Sequence, residues 1–288
     1  MFGRAVYLPM TADQKTIHSL VSKVNRQLTK LAAKPDANGV HRFRTGARRM
    51  EALLTELVAK PGRNDKKLLK LLGRLRKKAG RVRDLDVQIS LLRGLKMAEG
   101  ARHKAQLLQA LMEERVQAEK KVAAAFDKST IRELRKRLKR AGAKLKLPEQ
   151  DALSHAQHIL SKLEPQPDPS TDKVLHQYRI IGKRARYLAE LGGPKAAQLV
   201  QQLKHMQDAL GDWHDWLKLT QRAENLFSGA PGSPLVAALR NLTRAKFRHA
   251  VTTLTETRGG LQGKKLARSE DLTPRKGSAT VSNTRTAA

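Results

Sequence analysis

The chain has 288 residues, with 58 Lys+Arg against 26 Asp+Glu, a formal net charge of +32 and a pI near 10.9. With no cysteine, it excludes a disulfide scaffold, a thiol catalyst and a Cys-ligated zinc site. No apolar run reaches the roughly 18 residues of a membrane span, and polar residues interrupt the N-terminal stretch where a signal core would lie, so a cytoplasmic location is expected.

Ala, Leu, Lys, Arg, Gln and Glu dominate nearly every segment and β-branched runs are absent, so the chain reads as all-α. Thr11-Ala12-Asp13 opens a helix to about residue 34, with Ile17, Leu20, Val21, Val24, Leu28 and Leu31 on one face. Pro35 to Gly39 break it, and a second helix runs to about residue 60. After the Pro61-Gly62-Arg63-Asn64 turn, a Leu-rich helix covers 65–78, and beyond Gly80 another covers 82–97. A long helix at 101–126 precedes a basic segment, 131–146. It carries Arg132, Arg135, Lys136, Arg137, Lys139, Arg140, Lys144 and Lys146 against the single acid Glu133. This segment is either a charged linker or a helix lining an anion path. Around Pro148 the chain starts again, with helices at 149–163, 172–191, 194–210, 212–227 and 234–257 and a Pro-rich loop at 164–170. Residues 259–288 lack an apolar period and read as a disordered basic tail.

That tail holds six Lys/Arg and two acids, so +28 of the +32 sits on the helical part. Such a surplus repels itself unless an anion offsets it, which points to a polyanionic partner. Aromatic residues make up only 3% of the chain, too few for a binder that stacks unpaired bases. Phosphate is therefore a better candidate than bases.

The two halves resemble each other. Val40-His41-Arg42-Phe43-Arg44-Thr45-Gly46-Ala47-Arg48-Arg49-Met50 recurs 135 residues later as Leu175-His176-Gln177-Tyr178-Arg179-Ile180-Ile181-Gly182-Lys183-Arg184-Ala185. Both are apolar-His-x-aromatic-Arg-x-x-small-basic-Arg-apolar, each after a residue suited to cap a helix (Asp36 or Asn38; Thr171 or Asp172). Gly80-Arg81-Val82-Arg83-Asp84 and Gly211-Asp212-Trp213-His214-Asp215 follow in the same order, each Gly-x-x-basic-Asp. A repeated helical unit is expected, first copy about 11–147 and second about 148–258.

On the helical wheel Val40, Phe43, Ala47, Met50, Leu54 and Leu57 form a buried stripe, as do Leu175, Tyr178, Gly182, Ala185 and Ala189. One residue on, His41, Arg44 and Arg48 form a basic stripe, matched by His176, Arg179 and Lys183. Like charges one turn apart repel, and a string of phosphates would relieve both stripes. Arg49 and Arg184 lie further round the helix and are weaker candidates.

His41 and His176 each stand beside Arg residues, and these cations repel a metal cation, so no metal is expected there. Each reads as a phosphate donor or a structural histidine. His214-Asp215 suggests a metal-dependent phosphohydrolase, but its counterpart is Arg83-Asp84, and Arg does not ligate metal. Asp84 and Asp215 are expected to orient neighbouring cations through charge-assisted hydrogen bonds. Trp213 and Trp216 read as packing residues.

The His-x-x-Arg-x-x-x-basic-Arg signature in both halves, with Arg83-Asp84-Leu85-Asp86-Val87 and Leu210-Gly211-Asp212-Trp213-His214-Asp215, resembles the CHAD family (conserved histidine α-helical domain). The likeness spans about 13–258. It implies two four-helix-bundle-like halves related by a pseudo-twofold, around a basic groove or pore that binds inorganic polyphosphate. It also implies association with polyphosphate granules in bacteria. Carried over, the paired histidines fall on His41 and His176, and the basic motif on Arg44, Arg48, Arg49, Arg179, Lys183 and Arg184. Lys183 replaces an Arg-like position, and His214 stands where the first half has Arg83. No Glu-x-Glu-x-Lys motif of a triphosphate-tunnel domain is present, so a stand-alone member is expected.

The expected function is therefore polyphosphate binding without catalysis or cofactor, through these residues together with Arg83 and His214. The competing reading is a nucleic-acid binder that follows the phosphate backbone of DNA or RNA. The phosphohydrolase ranks below both.

Overall fold

The computed structural model describes residues 12–33, 37–58, 60–97, 99–144, 152–163, 171–229 and 232–270. Among them the chain forms nine α-helices: α1 (Ala12–Ala33), α2 (Ala37–Glu56), α3 (Arg63–Gly94), α4 (Ala101–Ala125), α5 (Lys128–Lys144), α6 (Ala152–Ser161), α7 (Asp172–Ala189), α8 (Ala197–Leu226) and α9 (Pro234–Glu270). A 3-10 segment, Glu190–Ala196, joins α7 to α8 and turns at Gly193, whose φ of 64° suits glycine. The fold is all-α, as the composition implies, and no helix of the described residues is long and apolar enough to cross a membrane.

Local chemistry sets several starts. The Thr171 hydroxyl accepts from the Val174 N–H and caps α7. The Asp127 carboxylate accepts from the Thr130 N–H at 2.9 Å and from the Ser129 and Thr130 hydroxyls, which holds it well below the usual carboxylate range and opens α5. The other proposed cap, Asp36, lies outside the described residues; Asn38 is already inside α2.

The apolar stripes are buried as expected. Ile17 to Leu31 on α1, Val40 to Leu57 on α2 and Leu175 to Ala189 on α7 face one continuous core, which also takes Trp213 and Trp216. Helix α1 packs on α2, α2 on α3 and α3 on α4, while α5 lies against α1 and α3. In the second half α6 packs on α7, α7 on α8 and α8 on α9. The halves meet through α2 against α7, α3 against α8 and α4 against α9.

Three boundaries differ from expectation. The breaks at Gly80 and Gly211 do not occur, and α3 and α8 run through them as single helices. An isolated glycine costs a helix only about 1 kcal/mol, and leucines on both sides bury enough surface to override it. Helix α9 also continues through Gly259 and Gly260 to Glu270, so the disordered tail does not begin at 259. A Cβ at Gly260 would lie 3.4 Å from Gln202 on α8, so this part of α9 still runs beside α8. Residues 271–288 of the expected tail lie outside the described residues.

Candidate anion-binding site

The two basic stripes meet where α2 packs on α7, with α3 and α8 behind them. On α2, Arg44 is nearly buried, its side chain 12% exposed. Its guanidinium passes over Gly80, where an added Cβ would lie 3.9 Å away, and its Nη1 reaches Asp84 Oδ1 at 3.3 Å. The expected orienting role of Asp84 is thus seen as a contact. Asp215 bears on Arg179 electrostatically, and its Oδ1 lies 3.7 Å from His214 Nδ1.

The electrostatics tie these groups into one cluster. Burial lowers the affinity of Arg44 for its proton; Asp84 opposes this, and Arg48, Arg83 and Arg76 add to it. Burial does the same to Arg179, with Asp215 and Asp84 opposing and Arg48 adding. Lys183 is affected most: burial, then Arg179 and Arg48, bring its pKa from 10.5 down to about 7, against a partial offset from Asp215.

The histidines lie at the exposed side of the cluster. Partial burial, followed by Arg83, Arg44 and Arg48, lowers the pKa of His41. That of His176 is lowered by partial burial and then by His214, Arg179, Lys218 and Lys183. The His176 and His214 rings stack with centroids 5.8 Å apart and an interplanar angle of 22°. Both His41 and His176 are exposed, so neither is a core histidine.

Several nitrogens here are unsatisfied. Arg44 Nε, Arg179 Nε and His214 Nδ1 are buried without a hydrogen-bond partner among the described residues. Lys183 and Arg48 have no carboxylate within ion-pair distance among the described residues. Buried donors are almost always paired, so a cationic cluster left open in this way is suited to receive an anion.

Eight of the ten candidate residues fall in this cluster: His41, Arg44, Arg48, Arg83, His176, Arg179, Lys183 and His214. Arg49 and Arg184 do not. Arg49 Nε donates to Glu190 Oε2 at 2.7 Å, and Arg184 Nη1 reaches Glu56 Oε1 at 3.5 Å. These crossed pairs join α2 to the end of α7 and α7 to the end of α2. Two cations not singled out from the sequence also act here. Arg76, one turn before Gly80, bears on Arg44 and is itself held by Glu51 at 2.7 Å; Lys218, one turn after His214, bears on His176. Their helical spacing from the Gly-x-x-basic-Asp motifs was the available signal.

The basic segment forms α5 and packs on α1 and α3, with Arg132, Arg135, Lys136, Lys139 and Arg140 exposed. Arg137 pairs with Glu133, and Arg135 donates to the Thr29 hydroxyl on α1. Lys146 lies outside the described residues.

The CHAD domain family matches residues 15–224 of the chain. The fold is similar to a crystal structure of the CHAD domain from the plant Ricinus communis, at 18% identity and a TM-score of 0.66, covering 91% of this chain and 96% of that one. It is also similar to PptA from Streptomyces chartreusis, at 17% identity and a TM-score of 0.65, covering 88% of this chain and 98% of that one. No curated protein matches the chain.

Proposed function

The chain belongs to the CHAD domain family, and we propose that it binds inorganic polyphosphate in the cradle between α2 and α7 without catalysing a reaction. The observation that carries this reading is the pair of largely buried guanidiniums, Arg44 and Arg179, each with an Nε unpartnered among the described residues, beside Lys183, which no carboxylate there pairs. Desolvating cations without partners is costly, and a chain of phosphates returns that cost at several points at once. His41, Arg44 and Arg48 extend about 10 Å along α2, as their matches do along α7, so a linear anion suits the cradle better than a compact one. Arg83 and His214 bound the path on α3 and α8. Arg49 and Arg184 hold the two helices together and contribute only indirectly.

We further propose that the halves are copies of one unit about a pseudo-twofold, 11–147 and 148–258, with α5 an addition to the first. Three features favour this: each contact between halves pairs matching helices, Arg49–Glu190 mirrors Arg184–Glu56, and the matched stripes face one another. Each copy then supplies half of the ligand contacts. A cytoplasmic protein of this kind would be drawn to polyphosphate granules.

Replacing Arg44→Glu together with Arg179→Glu is expected to weaken polyphosphate binding at least a hundredfold in a calorimetric titration, with helicity retained by circular dichroism. Unchanged affinity in the folded variant removes the assignment. Full displacement of labelled polyphosphate by duplex DNA at physiological salt would favour the nucleic-acid reading instead.

A further inference from the structure

We propose that Lys183 is an acylation site, at which the Lys183 amine is modified by small acyl phosphates that the surrounding guanidiniums capture through the phosphate group. The proposal rests on reading the cradle as an anion site, but not on polyphosphate being its ligand.

The surroundings of Lys183 carry the argument. It lies one turn beyond Arg179 on α7 and is mostly buried where α7 meets α2. Arg44 and Arg48 face it from α2, and Asp215 from α8. Around that group stand Asp84 and Arg83 on α3, His176 on α7, and His214 and Lys218 on α8. No carboxylate holds the ammonium in an ion pair among the described residues, since Asp84 contacts Arg44 and Asp215 lies beside His214.

Two consequences follow for reactivity. An amine desolvated among cations gives up its proton readily, the setting that makes a lysine nucleophilic near neutral pH, and the value of about 7 for this amine agrees. The guanidiniums of Arg48 and Arg179 suit a phosphate dianion, which concentrates an electrophile carrying one. An exposed lysine has neither feature.

The step is balanced without a redox partner. The neutral Nζ forms a bond to the carbonyl carbon of the acyl phosphate. The carbon–oxygen bond to the phosphate breaks, and the proton lost from nitrogen ends on the departing phosphate. The products are an amide and hydrogen phosphate. The amide carries no charge, so modification removes a cation from the centre of the cradle.

The test uses the full chain with acetyl phosphate, following acetylation of each lysine by peptide mass spectrometry. At pH 7 Lys183 is expected to react about tenfold or more faster than the exposed Lys70, Lys139, Lys173 and Lys204. Its rate should level off between pH 7 and 9, whereas the rate of an ordinary free amine rises about tenfold per pH unit over that range. Lys183→Arg should lose the fast adduct, and the acetylated chain should bind polyphosphate more weakly. A Lys183 rate equal to that of the exposed lysines, or one with their pH profile, overturns the proposal. If polyphosphate does not bind while Lys183 is still labelled selectively, the proposed function falls and the acylation site stands.

Discussion

At the residue scale, Lys183 links the cradle to pH. Its pKa is about 7 in the fold, against 10.5 for a free lysine. Below pH 7 the side chain is charged in both the folded and unfolded states, and the fold bears the full cost of burying that charge. Between pH 7 and 10.5 the unfolded chain holds a proton that the folded one has released, so stability rises with pH across this window. Each pH unit contributes at most about 1.4 kcal/mol. Urea denaturation of the ligand-free chain at pH 7 and pH 9 should show this rise, and Lys183→Met should abolish most of it. An equal rise in the variant would place the titration elsewhere. Under the proposed function polyphosphate would act in the opposite direction: it would restore the favourable surroundings of the ammonium, so binding near pH 8 should take up a proton.

At the scale of elements, glycine decided where sequence reasoning held and where it failed. The stripes of α1, α2 and α7 were legible because a buried face repeats every three to four residues and needs no knowledge of distant partners. Gly80 and Gly211 were read as breaks because a glycine is a poor helix former, yet each lies inside one long helix. What overrides them is tertiary packing, on α2 and α4 for α3 and on α7 and α9 for α8. Neither glycine is needed for its conformation, because neither has positive φ. At Gly211 an added Cβ would meet nothing within 4 Å. Gly211→Ala should therefore stabilise the fold by about 0.5–1 kcal/mol in thermal or urea unfolding, with polyphosphate affinity unchanged. A loss of stability would show that α8 needs the flexibility at that point. Gly182 is different: a Cβ there would fall 2.4 Å from the Met206 methyl, and its carbonyl accepts from Gln207 Nε2 at 2.8 Å, so α7 and α8 are fitted closely behind the stripe. The roles of Arg49 and Arg184 were hidden for a related reason. Their carboxylates, Glu190 and Glu56, lie 141 and 128 residues away, and no local pattern reports such partners.

At the scale of the whole molecule, the question is how much of the +32 the proposed ligand would use. A share of the cations is already engaged within the fold. Glu114 on α4 receives both Arg81 from α3 and Arg222 from α8, and Lys246 on α9 pairs with Asp212 on α8 at 2.8 Å. Arg81 and Asp212 hold the same place in the two Gly-x-x-basic-Asp motifs, so one position carries opposite charges and pairs with opposite partners. Large areas of exposed charge remain, α5 above all. A diffuse field and a local cradle differ in their salt dependence. Each phosphate neutralised releases part of a counterion, so log affinity falls with log salt with a slope close to the number of phosphates contacted. If Arg44, Arg48, Arg179 and Lys183 make the contacts, the slope for a short polyphosphate should be about −3. Changing Lys136→Glu, Lys139→Glu and Arg140→Glu together on α5 lowers the net charge by six without touching the cradle. That variant should keep the same slope and lose no more than a few-fold in affinity, because α5 packs on α1 and α3 rather than on α2 or α7, and exposed charges are screened at physiological salt. A much steeper slope for the wild type, flattened by the α5 changes, would mean that the whole basic surface holds the ligand and that the cradle is one contact among many.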